Sequence, residues 1–184
     1  MVETKLSDLR SCLSRNSVVL VRSNSESDYM DEIHRLGSLT PMEENFSSGD
    51  KNGGLFSKIE YRPGLSESFS HSNTKQSSHT DGSYERNAPN LVFLLCRKSA
   101  QYGGHTFFLN NEVLLDLMPG DLKQDLTRMD IVHSKGTDSR ERPVLMMRKG
   151  NKPSWNWNFY RAEKTPENSN FIGSLKQLLE HIEC

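Results

Sequence analysis

The feature that most constrains the fold is the shortness of the apolar runs in the middle of the chain. The longest, Leu91 to Cys96, is six residues long and is flanked by a proline and by charged residues. A run of this length, rich in aliphatic side chains, is typical of a strand buried on both faces. Gly103 and Gly104 then indicate a turn, and His105 to Leu109 is predicted to be the returning strand.

Helices are predicted on both sides of these strands, where apolar residues recur at three- and four-residue spacing near capping residues. The predicted helices are Leu6–Leu13, Ser27–Leu36, Asn111–Met118, Asp121–Met129 and Asn170–Ile182. Further strands are predicted at Ser17–Val21, at Leu55–Tyr61 and in a hairpin made of Val144–Arg148 and Trp155–Tyr160. The polar segments Glu43–Gly54 and Gly64–Ser78 are predicted loops. Short strands between helices, without a fixed repeat, indicate an α+β fold with a jelly-roll core.

Charge and composition narrow the class of partner. With 23 Lys and Arg against 24 Asp and Glu, the net charge is -1, so neither nucleic acid nor an anionic membrane surface is indicated. No apolar run reaches the roughly 18 residues of a membrane-spanning helix, and the polar N-terminus is unlike a signal peptide. Three cysteines without C-x-x-C spacing suit a reducing compartment. We expect one domain, residues 1–184, in the cytoplasm, with a small-molecule partner.

The candidate site is the short motif His79-Thr80-Asp81. On a strand, two residues separated by one point to the same face, so the imidazole of His79 and the carboxylate of Asp81 can reach one metal ion. Two histidines and one carboxylate on one face of an octahedron form the ligand set of non-haem iron(II) oxygenases. The motif alone also arises by chance, and its two residues are then ordinary polar strand residues. Its significance depends on the surrounding sequence.

That surrounding sequence resembles a known superfamily. The segment HTDGSYERNAPNLVFLLCRKSAQYGGHTFFLN is similar to the core pattern of the taurine dioxygenase and clavaminate synthase superfamily, which is His-x-Asp, an apolar strand and Gly-Gly-x-Thr. SVVLVRSNSESDYMDEIHRLGSLTP resembles the start of that family, and RPVLMMRKGNKPSWNWNFYR resembles its mid-chain hairpin. The resemblance covers nearly all of the chain in the right order. It implies a double-stranded β-helix, or jelly roll, with flanking helices, and an iron(II)- and 2-oxoglutarate-dependent oxygenase.

The resemblance also implies roles for individual residues. His79 and Asp81 match the first two iron ligands, and Thr106 matches the threonine that hydrogen-bonds a carboxylate of 2-oxoglutarate. The alternative for Thr106 is an ordinary β-branched strand residue. The implied cofactor is Fe(II), with 2-oxoglutarate as cosubstrate and O2 as oxidant. Halogenating relatives carry a small residue at the position of Asp81, so the carboxylate implies hydroxylation or a related oxidation such as desaturation.

Two residues of the family pattern have no counterpart in the sequence. The family places a distal histidine ligand, and after it an arginine for the far carboxylate of 2-oxoglutarate, beyond the helix that corresponds to Asn170–Ile182, whereas the sequence ends at Cys184. We therefore expect a C-terminally incomplete domain that lacks its last strands. It is a fragment of a longer enzyme, a chain completed by a second polypeptide, or a shortened homologue. The other histidines are predicted surface or loop residues, namely His34, His71, His105, His133 and His181.

Some residues near these motifs are candidates for substrate contact. If Trp155–Tyr160 is a strand, Trp155, Trp157 and Phe159 share one face, which either lines a pocket or packs into the core. The polar candidates have surface or turn positions as their alternative. The full candidate set is Ser83, Tyr84, Asn90, Trp157 and Arg161.

Two functions from different classes follow. The first is a dioxygenase that hydroxylates or otherwise oxidises a small molecule, such as an amino acid derivative or a secondary-metabolite intermediate. The second is an inactive, shortened homologue that acts as a binding or interaction protein through an exposed sheet edge. A homo-oligomer or a completing chain is compatible with either function. Iron- and 2-oxoglutarate-dependent formation of succinate discriminates between them.

Overall fold

The computed structural model describes residues 2–23, 25–37, 59–64, 72–148 and 152–182. Its contacts divide the chain into two compact units, residues 1–73 and 74–184. Several predictions lie outside the described residues: the loop Glu43–Gly54, most of the strand Leu55–Tyr61, the middle of the loop Gly64–Ser78, and His71. The single domain over residues 1–184 stays a prediction.

In its described residues, the first unit consists of a two-stranded parallel sheet and two helices. Its elements are β1 (Val2–Lys5), a 3-10 turn (Leu6–Asp8), α1 (Leu9–Leu13), β2 (Val19–Arg22) and α2 (Glu26–Leu36). Strand β1 pairs with β2 in parallel. The side chain of Ser25 caps α2 by accepting a hydrogen bond from the Asp28 amide at 3.1 Å. Both predicted helices are confirmed, the first with a 3-10 turn over Leu6–Asp8, and the predicted strand Ser17–Val21 is confirmed as β2. The described end of the predicted strand Leu55–Tyr61, residues 59–61, has no regular structure. Leu9, Tyr29 and Ile33 are buried.

The part of the second unit that the structure describes contains three helices and two antiparallel strand pairs. Its elements are α3 (Asn111–Leu117), α4 (Gly120–Arg128), β3 (Asp130–Lys135), β4 (Asp138–Pro143), β5 (Leu145–Arg148), β6 (Lys152–Trp155) and α5 (Ser169–Ile182). Strand β3 pairs with β4, and β5 pairs with β6. The three predicted helices are confirmed. One core joins them, with Leu126, Ile131, Val144 and Leu175 fully buried.

The two strands predicted around the glycine pair are wrong. Residues 91–96 and 103–110 form neither strand nor helix. Leu91, Leu94 and Phe107 are 49%, 53% and 76% exposed. A strand needs a partner for its backbone groups and a cover for its side chains, and no described segment supplies either to this run. The described residues contain three two-stranded sheets and no barrel. They do not confirm the predicted jelly-roll core, which rests on the resemblance alone.

The hairpins also differ in part from the prediction. The hairpin after Val144 is confirmed, but its second strand is Lys152–Trp155, and residues 156–158 continue without regular structure. The predicted strand alternation of Trp157 and Phe159 is therefore wrong. Strand β4 was not predicted because its sequence, DSRERP, is polar throughout and carries no alternation. Among the described residues, no helix is long and apolar enough to cross a membrane.

Candidate metal centre

His79 and Asp81 lie side by side in the second unit. The Nε2 atom of His79 is 3.4 Å from Oδ1 of Asp81, and the two side chains are 26% and 37% exposed. The segment 75–80 has no regular secondary structure, and a turn begins at Asp81. The two side chains therefore meet as the motif predicts, but they stand on irregular backbone and not on a strand.

A backbone contact sets the tautomer of His79. Its Nδ1 atom lies 2.9 Å from the carbonyl oxygen of Ser77. Because a carbonyl oxygen only accepts, Nδ1 carries a proton and donates it, so in the neutral form of the ring the lone pair lies on Nε2. The amide nitrogen of Gln76, a donor, lies 3.5 Å from Nε2, which agrees with this tautomer. A lone pair is thus directed to the same side as a carboxylate oxygen, as a shared cation requires.

Thr80 ties the motif to a distant part of the chain. Its amide donates to the carbonyl of Trp157 at 2.7 Å. Its Oγ1 accepts from the Trp157 amide at 2.9 Å and lies 3.3 Å from the Trp157 carbonyl. The residue between the two candidate ligands is therefore fixed to the stretch that follows β6.

The turn after Asp81 is fixed at a second point. Gly82 has φ +67, and a Cβ there would lie 2.9 Å from Cδ of Pro89. The Glu85 amide closes the turn by donating to the Gly82 carbonyl at 3.0 Å. Arg140, on β4, donates to the carbonyls of Glu85 at 2.7 Å and Arg86 at 2.6 Å. The β3–β4 hairpin thus holds the turn that presents Asp81.

The pair fits ferrous iron as two of its ligands. A neutral imidazole nitrogen and a carboxylate oxygen are suitable donors for divalent iron. Two ligand atoms at right angles, each about 2.1 Å from a metal ion, lie about 3 Å apart, so the observed 3.4 Å needs only a small adjustment. Within the described part of the chain, no group of three His, Cys, Asp or Glu side chains could hold a metal. The structure therefore assigns no third protein ligand.

His133 was predicted to lie at a surface or in a loop, and this is wrong. It lies within β3 and is 0% exposed. The Asn158 amide donates to its Nε2 at 3.3 Å, and the side chain of Asn156 lies 3.3 Å from its Nδ1. Burial, and to a smaller degree the charge of Arg142, lower the pKa of His133 to about 4 although a hydrogen bond to Ile131 raises it. His133 is a neutral core residue whose Nε2 is already bonded, so it is no substitute iron ligand.

The remaining histidines that the structure describes agree with their prediction. His34 lies on α2, His181 lies on α5, and His105 lies in the irregular stretch before α3. All three are exposed. None belongs to a group that could hold a metal in the described residues.

Thr106 and Asn90 are exposed residues on irregular backbone. No hydrogen bond in the described residues joins Thr106 to His79 or Asp81. The structure therefore does not bring the predicted cosubstrate residue into contact with the predicted ligands.

The other substrate candidates are more enclosed. Ser83 is 1% exposed, and its hydroxyl has no hydrogen-bond partner in the described residues. Tyr84 is buried beneath Nζ of Lys135, which lies 5.4 Å from the ring centre. Trp157 is buried in the core cluster, with its ring edge-on to His133. Arg161 is half-buried, and its carbonyl accepts from the Ser134 amide at 2.9 Å.

Sequence reasoning missed the residues that support the site from a distance. Arg142 donates to Oδ1 of Asn156 at 2.5 Å. Burial lowers the pKa of Arg142 to about 10, helped by the charges of Arg140 and Arg148. These contacts join the His79–Asp81 motif, β4 and the stretch after β6. Because those segments are far apart in sequence, no local pattern predicts the contacts between them. Only the polarity of Asn156, set among apolar neighbours, was visible as a signal.

A histidine whose neutral form carries its lone pair on Nε2, beside a carboxylate on a fixed turn, defines a candidate iron site of the oxygenase type. The chain belongs to the taurine catabolism dioxygenase TauD, TfdA family, whose model matches residues 3–176. The resemblance drawn from the motifs is thereby confirmed. Comparisons with curated proteins and with solved structures gave no match. Dioxygenases of this family typically use Fe(II), 2-oxoglutarate and O2.

Proposed function

We propose that this chain is an iron(II)- and 2-oxoglutarate-dependent dioxygenase that hydroxylates or otherwise oxidises a small molecule. The observation that carries the proposal is the 3.4 Å separation of His79 Nε2 and Asp81 Oδ1. The proposal is supported by the Ser77 carbonyl oxygen, which lies 2.9 Å from Nδ1 of His79 and accepts a hydrogen bond from it. Family membership over residues 3–176 supplies the reaction class.

The residues divide the work as follows. His79 and Asp81 hold the iron, and the hydroxyl of Thr106 donates a hydrogen bond to a carboxylate of 2-oxoglutarate. Bound iron supplies the activation of O2 for oxidation of a substrate C–H bond. A third ligand and a cation for the far carboxylate of 2-oxoglutarate are not assigned to described residues. Because Asp81 is a carboxylate, the proposed reaction is hydroxylation or desaturation and not halogenation.

The proposed substrate is an amino acid derivative or a secondary-metabolite intermediate. The buried hydroxyl of Ser83 lies two residues after Asp81 and has no partner in the described residues, which supports a polar contact there. Tyr84, Asn90 and Arg161 are further polar candidates. Trp157 contributes by packing in the core beside the motif.

The test is succinate formation by the purified chain with ferrous iron, 2-oxoglutarate, oxygen and a panel of amino acid derivatives. Replacing a direct ligand should lower the rate by at least about 100-fold, since even outer partners of metal ligands are worth roughly 10- to 100-fold. We expect this loss for His79→Ala and for Asp81→Ala.

Matched controls remove the same groups elsewhere in the second unit. His181→Ala and Asp116→Ala change exposed helical residues and should leave the rate within about twofold of the unmodified chain. Succinate formation that survives in both ligand variants would place the reaction away from this motif.

A second function is favoured by the exposed apolar run. Leu91, Val92 and Leu94 are about half exposed on backbone without a paired strand in the described residues. Contiguous exposed apolar side chains of this kind mark interaction surfaces. Under this alternative the chain is an inactive homologue that binds a second copy or a completing chain. Concentration-dependent association without any iron-dependent succinate is the result that would select it.

A further inference from the structure

We propose that Thr80 is a positioning residue, which holds His79 and Asp81 in register for one metal ion through the backbone of Trp157. The inference rests on the proposed function, because it assumes that these two side chains bind iron. It assigns a task to the residue that the His-x-Asp pattern leaves open.

Thr80 makes three short contacts to one residue, 77 positions away. The Thr80 amide donates to the Trp157 carbonyl at 2.7 Å. The Trp157 amide donates to Thr80 Oγ1 at 2.9 Å, and that hydroxyl donates in turn to the Trp157 carbonyl at 3.3 Å. The hydroxyl thus satisfies the amide and carbonyl of Trp157 at the same time.

The segment that receives these bonds is rigidly held. The Trp157 side chain is 3% exposed and belongs to the core. On one side, the Asn156 amide donates to the Val144 carbonyl at 2.7 Å. On the other side, the Asn158 amide donates to Nε2 of His133 at 3.3 Å. Thr80 is therefore hydrogen-bonded to a backbone stretch that is itself held by a hydrogen bond on either side of Trp157.

The candidate ligands gain from such support because they stand on backbone without regular secondary structure. Residues 75–80 belong to no strand or helix, and both ligand side chains are partly exposed. A working metal site requires its ligands within roughly 0.5 Å of the productive geometry. Thr80 is the residue between them, so a shift of its backbone moves both.

A threonine-to-valine change isolates the hydroxyl. Valine keeps the β-branched shape, but it leaves the Trp157 amide, 2.9 Å from the lost oxygen, without its acceptor. Serine keeps the hydroxyl and loses only a methyl group. The pair Thr80→Val and Thr80→Ser therefore separates hydrogen bonding from shape.

The experiment measures Mn(II) binding by electron paramagnetic resonance on the full chain, together with hydrogen exchange at the Trp157 amide. We expect Thr80→Val to weaken Mn(II) binding by about 10- to 100-fold and to speed exchange of that amide. We expect Thr80→Ser to stay within about threefold of the unmodified chain on the same scale. Thr127→Val is the matched control, because Thr127 is an exposed residue of α4 whose hydroxyl bonds the Gln124 carbonyl at 3.1 Å.

The outcomes distinguish failure of the positioning role of Thr80 from failure of the metal site itself. Mn(II) affinity that is unchanged in Thr80→Val, or equally weak in Thr80→Ser, overturns the positioning role and leaves the metal site standing. Absence of Mn(II) binding to the unmodified chain overturns both. If circular dichroism shows that Thr80→Val does not fold, Thr80→Ala is judged by the same two outcomes.

Discussion

Two histidines of this chain show how neighbouring groups decide what an imidazole does. His79 donates from Nδ1 to the Ser77 carbonyl and directs Nε2 toward Asp81. His133 is buried, and its Nε2 accepts from the Asn158 amide. The first has the arrangement of a metal ligand, and the second has that of a neutral structural residue.

The low pKa of His133 makes stability depend on pH in a defined window. Burial lowers the pKa of this imidazole in the folded chain from 6.5 to about 4. Between pH 4 and pH 6.5, His133 is therefore protonated in the unfolded chain and neutral in the folded chain. The free energy of unfolding should fall as the pH drops from 6.5 toward 4. Across this whole window, the protonation of His133 should lower the free energy of unfolding by about 3 kcal/mol.

Urea denaturation at several pH values measures this effect. Other groups also titrate in the window, so the comparison is between the unmodified chain and His133→Met. The variant should show a shallower decline over the window, whatever its absolute stability. Equal slopes for both chains would mean that His133 takes up its proton at the same pH in the folded and unfolded states.

Among the elements, the turn that follows Asp81 is the one that bears directly on the site. Gly82 is in the left-handed region, and a Cβ there would come within 2.9 Å of Pro89. Gly136, in the β3–β4 turn, has a similar φ of +60 but nothing within 4 Å. The two glycines therefore differ in steric room and not in backbone conformation.

Alanine at these two positions should give unequal losses. Gly136→Ala should destabilise the chain by about 1 kcal/mol, from backbone strain alone. Gly82→Ala should cost about 1–3 kcal/mol more, because the added methyl group must displace Pro89. Urea denaturation of both variants at one pH measures the difference. Equal losses would show that the Asp81 turn is free to relax.

The helices were predictable because their information is local. Apolar spacing and capping residues such as Ser25 are sufficient to predict α2, α4 and α5. The strands were less predictable, because a strand depends on its partner. The apolar run 91–96 carries every local mark of a strand but pairs with no segment that the structure describes, whereas the polar β4 is paired with β3. A polar strand such as β4 leaves no periodic signal in the sequence.

At the scale of the whole molecule, the parts of the site that depend on neighbours in sequence were predictable, and the parts that depend on distant segments were not. The His79 and Asp81 pair was visible because its two members are neighbours in sequence. Thr80 was visible only as the residue between them, since its bonds to Trp157 cross 77 positions. Family membership over residues 3–176 supplies the reaction class, but it does not bring Thr106 to the pair.

The central claim is that His79 and Asp81 hold ferrous iron together with 2-oxoglutarate. The most direct measurement is the visible absorption spectrum of the chain mixed with Fe(II) and 2-oxoglutarate under anaerobic conditions. We expect a metal-to-ligand charge-transfer band in the unmodified chain and in His181→Ala, and its loss in His79→Ala and Asp81→Ala. No band in the unmodified chain, or a band that persists in both ligand variants, would contradict the claim.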